Sequence, residues 1–117
     1  MGDIASMKKA VQEFCEARDW DQFHNPKDLA IGLSTESNEL LDLFRFKDSE
    51  QMREMMENPS KREEISEELA DIFFFLLRFS QMYGFDMEQG LMDKIRKNGE
   101  KYPVEKAKGS NLKYNEY

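Results

Sequence analysis

The sequence predicts an all-α fold, a four-helix bundle with a short extra helix between the second and third principal helices. Three observations lead to it. Apolar residues recur at spacings of three and four, the period of a helix with one buried face. Helix-start signals stand ahead of three of these runs: Asn25-Pro26, Ser60 with Glu63, and Asp86 with Gln89. No segment reads as a credible strand.

The first helix is expected from about Ile4 to Ala17, with Ile4, Met7, Val11, Phe14 and Cys15 as its buried stripe. A short aromatic loop follows, Trp20-Asp21-Gln22-Phe23-His24. Asn25 suits an N-cap and Pro26 the first helical turn, so a second helix should run to about Phe46 through Leu29, Leu33, Leu40 and Phe44. Glu36 falls within that stripe, where a bundle would ordinarily place another Leu. The connector holds a short helix around Ser49 to Glu57, broken by Asn58-Pro59. The third principal helix opens at Ser60 and ends near Tyr83, with Gly84 suited to the left-handed position beyond it. Its stretch Ile72-Phe73-Phe74-Phe75-Leu76-Leu77 is apolar on every face and should be buried all round. The fourth helix opens at Asp86, passes through Leu91 and Ile95, and ends about Tyr102 before Pro103. Residues 1–103 are thus expected as one helical domain and 104–117 as a polar C-terminal arm or tail.

A length of 117 residues fits one domain with a modest core. The net charge of −7 argues against a nucleic-acid polymer or an anionic membrane as the main partner. It also poses a puzzle for any anionic substrate, which a bound metal would resolve. The single Cys15 excludes an internal disulfide and fits a reducing, cytoplasmic setting. No segment resembles a signal peptide, and the run from Ile72 to Leu77 is far too short to span a bilayer. Met1-Gly2 with Ser6 meets a loose myristoylation pattern that is too unspecific to carry weight.

Four acids hold most of the chemical information: Glu36 and Glu39, then Glu68 and Asp71. Each pair is spaced three apart within a helix, so each projects two carboxylates from one face. A solvated acid usually has a Lys or Arg three or four residues away, and none of these four does. Glu36 has Gly32, Leu33, Glu39 and Leu40 there, and Asp71 has Glu67, Glu68, Phe74 and Phe75. Carboxylates that repel one another among Leu, Ile and Phe call for a counter-charge from outside their own helices. A hard divalent cation with oxygen ligands is the simplest, Mg²⁺ first and Mn²⁺ as an alternative. The competing reading is a plain solvated acidic face. A di-iron carboxylate bundle would need Glu-x-x-His on two helices, and the one histidine, His24, sits in a loop.

Trp20, Phe23 and His24 make a second cluster, with Phe46 at the far end of the second helix as a further aromatic. Such faces suit stacking on a nucleobase, or else the loop simply covers the end of the bundle. A third group, Lys94, Asn98 and Tyr102 at spacings of four with Lys101 beside them, offers cation, amide and phenol donors on one helix face. A phosphate chain would use these, although a lysine stripe is more often solvated.

Glu36-Ser37-Asn38-Glu39, followed after 28 intervening residues by Glu68-Leu69-Ala70-Asp71, resembles the acidic signature of the MazG-like all-α nucleoside triphosphate pyrophosphohydrolases. Arg18-Asp19-Trp20-Asp21-Gln22-Phe23-His24, Lys94…Asn98…Lys101-Tyr102-Pro103 and Lys113-Tyr114 resemble the deoxycytidine triphosphate pyrophosphatase branch, in matching order across nearly the whole chain. Val11 and Phe46 depart from that branch, which in animals tends to have His and Trp there, near the base. The resemblance implies hydrolysis of a nucleoside triphosphate, dCTP or a related deoxynucleotide, to the monophosphate and pyrophosphate. It implies Mg²⁺ on Glu36, Glu39, Glu68 and Asp71, with Glu39 the candidate to orient or deprotonate the attacking water. Lys94, Asn98, Lys101 and Tyr102 would hold phosphates and sugar. Trp20, Phe23, His24 and Phe46 would enclose the base, with Phe75 on the sugar side. It also implies a homodimer or dimer of dimers. The alternative of another class is a non-enzymatic helical adaptor whose acidic surface binds a basic protein partner.

Overall fold

The structure, a computed structural model, describes residues 3–116, and every regular element among them is helical. Met1 and Gly2 of the myristoylation pattern lie outside the described residues.

Helix α1, Ile4–Ala17, is opened by Asp3, whose carboxylate accepts the Ser6 N–H at 2.7 Å. Beyond it Asp19 turns into the left-handed region at φ 55°, and the Trp20 N–H reaches back to the Cys15 carbonyl at 3.0 Å. One 3-10 turn, Asp21–Phe23, leads to Asn25. The Asn25 side chain accepts the Asp28 N–H at 2.8 Å and opens α2, Pro26–Leu43.

Helix α2 stops short of the expected Phe46. The N–H groups of Phe44, Arg45 and Lys47 each bond three residues back, and Phe46 takes φ 61°. This tight turn delivers Asp48 as the next cap. Asp48 and Gln51 form a reciprocal capping box, at 2.8 and 2.9 Å, that opens the short helix α3, Ser49–Glu57.

Helix α4, Pro59–Tyr83, opens at Asn58 and not at Ser60. Asn58 accepts the Lys61 N–H at 3.1 Å and Pro59 takes the first turn, repeating the logic of Asn25-Pro26. The dipeptide that breaks α3 therefore also starts α4. Gly84, at φ 73°, terminates α4 as expected.

Two compact units divide at Gly84 and Phe85. In the first, α4 is the central element, packed most extensively on α2, then on α1 and α3. Its buried apolar side chains are Cys15, Leu29, Met55, Ile65 and Leu77. The stretch Ile72–Leu77 is not buried all round, because within its own unit α4 has neighbours on only part of its circumference. Leu77 is enclosed while Phe73 is 40 % exposed. In the second unit α5, Met87–Lys101, is capped by Asp86 and followed by one helical turn, α6, Val104–Ala107. The segment expected as a polar arm also holds a 3-10 turn, Tyr114–Glu116. Tyr114 sets its ring edge-on to Tyr102 at 6.0 Å, and the Lys101 ammonium lies 4.8 Å from the Tyr114 ring.

Candidate active site

Helices α2 and α4 bring three acids together. One carboxylate oxygen from each of Glu36, Glu39 and Glu68 lies within 4.8 Å of the others. The helices run antiparallel here, since Gly32 faces Phe75 while Glu36 and Glu39 face Glu68. A Cβ on Gly32 would come within 2.4 Å of the Phe75 ring, so only glycine admits that ring at this crossing. Gly32 lies one turn before Glu36, and Phe75 one turn after Asp71. The close contact therefore sets the helix separation beside the acids.

The environment of these carboxylates is costly. Oε2 of Glu36 and Oε2 of Glu68 are shut away from water with no hydrogen-bond partner among the described residues. Burial, then the close approach of the Glu39 carboxyl, then the charges of Glu39, Asp71 and Glu68, push the Glu36 carboxyl up to about 7. Glu68 is also raised, first by burial and next by Glu39. Asp71 is exposed and adds negative charge to both residues from the next turn of α4, outside the close trio. Buried oxygens without partners, converging from two helices, suit a hard divalent cation. The donor set thus fits Mg²⁺ or Mn²⁺.

The aromatic residues form a connected series. Trp20 sets its ring edge-on to Phe14 at 5.6 Å, Phe14 to Phe74 at 6.0 Å, and Phe74 to Phe75 at 5.5 Å. His24 meets Trp20 at 6.1 Å. Phe23 is exposed on the same 3-10 turn. Phe46 stands apart. It is 89 % exposed beyond the C-terminus of α2, while Trp20 precedes the N-terminus of that helix. Eighteen helical residues separate the two ends, about 27 Å along the axis. Lys94, Asn98 and Lys101 lie on α5, with Tyr102 as its C-cap, all in the second unit. Asn98 is half-buried and the other three are exposed.

Sequence reasoning missed Arg78. It is 1 % exposed on α4 and forms an ion pair with Asp21 in the 3-10 turn. Its Nε–H also donates to His24 Nδ1 at 2.9 Å, and its Nη1 to Gln81 Oε1 at 2.6 Å. The signal was available, because Arg78 has Phe74, Phe75, Gln81 and Met82 at helical-neighbour spacing and no acid among them.

The MazG-like family matches residues 31–117, more than half of the chain. The chain is 33 % identical over 111 residues to the dCTP pyrophosphatase 1 of Bos taurus, covering 95 % of itself and 66 % of that protein. It is 30 % identical over 113 residues to the Homo sapiens dCTP pyrophosphatase 1, covering 97 % of itself and 66 % of that protein. The chain thus spans just under two thirds of the length of these relatives. A crystal structure of a pyrophosphatase from Archaeoglobus fulgidus superposes with a TM-score of 0.79 at 31 % identity, over 85 % of this chain and 91 % of that one. With the acidic pairs on α2 and α4 inside the matched region, the chain belongs to the MazG-like family.

Proposed function

We propose that this chain hydrolyses nucleoside triphosphates, deoxynucleotides such as dCTP among them, to the monophosphate and pyrophosphate, and so clears the nucleotide pool. The observation that carries this reading is the clustering of the Glu36, Glu39 and Glu68 carboxylates, with one buried, unpartnered oxygen on each of Glu36 and Glu68. A docking surface for a basic protein has no need to bury its acids in this way. The names of the bovine and human relatives support a triphosphate substrate.

Glu36, Glu39, Glu68 and Asp71 would hold Mg²⁺, which when bound offsets phosphate charge and polarises the α-phosphorus. Glu39, the exposed member of the trio, would orient the attacking water and accept its proton as the bond to pyrophosphate breaks. Trp20, Phe23 and His24 would stack on the base, with Phe75 on the sugar side. Lys94, Asn98, Lys101 and Tyr102 would hold the phosphates and sugar. The distance between Trp20 and Phe46 along α2 favours a homo-oligomer in which the aromatic turn of one copy closes a pocket of another. The lone, buried Cys15 suits a reducing, cytoplasmic setting.

The test is pyrophosphate release from a panel of deoxynucleoside and ribonucleoside triphosphates, with Mg²⁺ and with EDTA. Turnover should require the metal. Glu39→Ala and Asp71→Ala should each abolish it while helical circular dichroism persists. No turnover of any triphosphate by the parent protein would overturn the reading, and near-normal turnover in both variants would remove the acids from the site.

A further inference from the structure

Arg78 lies outside the chemistry proposed above, yet it is the most completely buried charged side chain among the described residues. Each of its three guanidinium nitrogens donates a hydrogen bond. Nε–H donates to His24 Nδ1, Nη1 to Gln81 Oε1, and Nη2 to the Asp21 carboxylate. Asp21 and His24 flank Phe23 in the aromatic turn, and Trp20 precedes them. One arginine on α4 therefore ties that turn to the helix that carries Glu68 and Asp71. Arg78 is two turns beyond Asp71, about 10 Å along the axis.

The bond to His24 has a chemical consequence. A guanidinium can only donate and does not lose its proton, so His24 Nδ1 must present a lone pair. A protonated imidazolium would set one N–H against another. The ring is therefore neutral with its proton on Nε2. Burial and the Arg78 charge both hold the His24 pKa below its ordinary value, against the opposing pull of Asp21. The thiol of Cys15 on α1 also lies within the field of Arg78 and Asp21.

We propose that Arg78 is a positioning residue for nucleotide binding. It locks His24 as the Nε2–H tautomer, so that the His24 ring offers the nucleotide a hydrogen-bond donor at Nε2 and no acceptor. It would thereby favour a base edge that presents a carbonyl or ring-nitrogen acceptor to that turn. This rests on the reading that the turn holds the base.

His24 is the single histidine of the chain, so the imidazole ¹⁵N spectrum of untagged protein reports on it alone. The parent protein should show an unprotonated Nδ1 and a protonated Nε2 at pH 6.5. A non-hydrolysable deoxycytidine triphosphate analogue with Mg²⁺ should shift the Nε2–H resonance and leave Nδ1 unprotonated. Arg78→Met and Arg78→Lys should mix the tautomers and move the titration midpoint upward. They should raise KM by about tenfold with kcat within about twofold, the pattern of a lost binding interaction. A protonated Nδ1 in the parent, or an Nε2–H that the analogue leaves unmoved, overturns the proposal even if the variants fail to fold. Trp20→Ala separates the two readings. A raised KM in Trp20→Ala with an unchanged one in Arg78→Met overturns the role of Arg78 alone. Parent-like KM in both overturns the base-binding reading, and this proposal with it.

Discussion

Glu36 occupies a place in the apolar stripe of α2 where a leucine would stabilise the fold, and its charge there has a readable cost. Its folded pKa is about 7, against 4.5 for the unperturbed group. Between those values the folded state holds a proton that the unfolded state has released. Linkage then makes stability fall as pH rises through this window. His24 contributes the opposite slope, because its pKa is lowered and the unfolded chain takes up its proton first as pH falls below 6.5. The Glu36→Gln variant separates the two. In EDTA the parent should lose melting temperature relative to Glu36→Gln between about pH 5 and pH 7.5, and Mg²⁺ should close the gap at the upper end. Parallel melting curves for parent and variant across that range would show that Glu36 titrates as an ordinary surface acid. The clustering of Glu36, Glu39 and Glu68 was legible because their helical neighbours include no base, whereas Asp71, grouped with them on the same ground, lies outside the close trio. The same test applied to Arg78 would have exposed it, but its partner Asp21 is distant in sequence and joins it only through tertiary packing.

At the scale of the helix pair, Gly32 is what lets α2 and α4 approach beside the acids. Gly32→Ala has two opposing effects. Alanine gains about 0.8–1.0 kcal/mol of helix propensity, whereas forcing a Cβ into the Phe75 ring costs about 1–3 kcal/mol. Phe75 is held edge-on by Phe74, so the ring has little freedom to retreat and the clash should win. Urea unfolding should show a net loss of about 1 kcal/mol, recovered when Phe75→Leu is added. A more stable Gly32→Ala would mean that the ring swings aside freely. Most element boundaries were readable because they rest on local chemistry: Asn25-Pro26, Asp86 and Gly84 act within one turn of themselves. The end of α2 was less readable, since its apolar stripe continues through Phe44 and Phe46. What stops the helix is the left-handed turn at Phe46 and the capping box of Asp48, a competition that periodicity alone does not record. The start of α4 was misplaced by two residues because Ser60 and Glu63 mimic a capping box next to the Asn58 cap that actually opens the helix.

For the molecule as a whole, the apolar surface of α4 exceeds what its own unit encloses. Ile65, Leu69 and Phe73 recur every four residues along one side of α4. Only Ile65 is buried, while Leu69 is 52 % and Phe73 40 % exposed. Met56 on α3 is exposed as well and lines the same hollow as Ile65 and Leu69. Burying a leucine or phenylalanine is worth about 1.5–3 kcal/mol, so a second copy laid over this side would gain from each such residue. A two-fold arrangement places the same stripe on both partners and closes without leaving an open edge. It would also let a base meet Trp20 of one copy and Phe46 of another, which a single chain holds at opposite ends of α2. Light scattering at micromolar concentration should therefore give at least twice the mass of one chain. Leu69→Glu with Phe73→Glu should lower that mass and raise KM together. A parent protein with one chain's mass and full activity would show that each copy closes its own site.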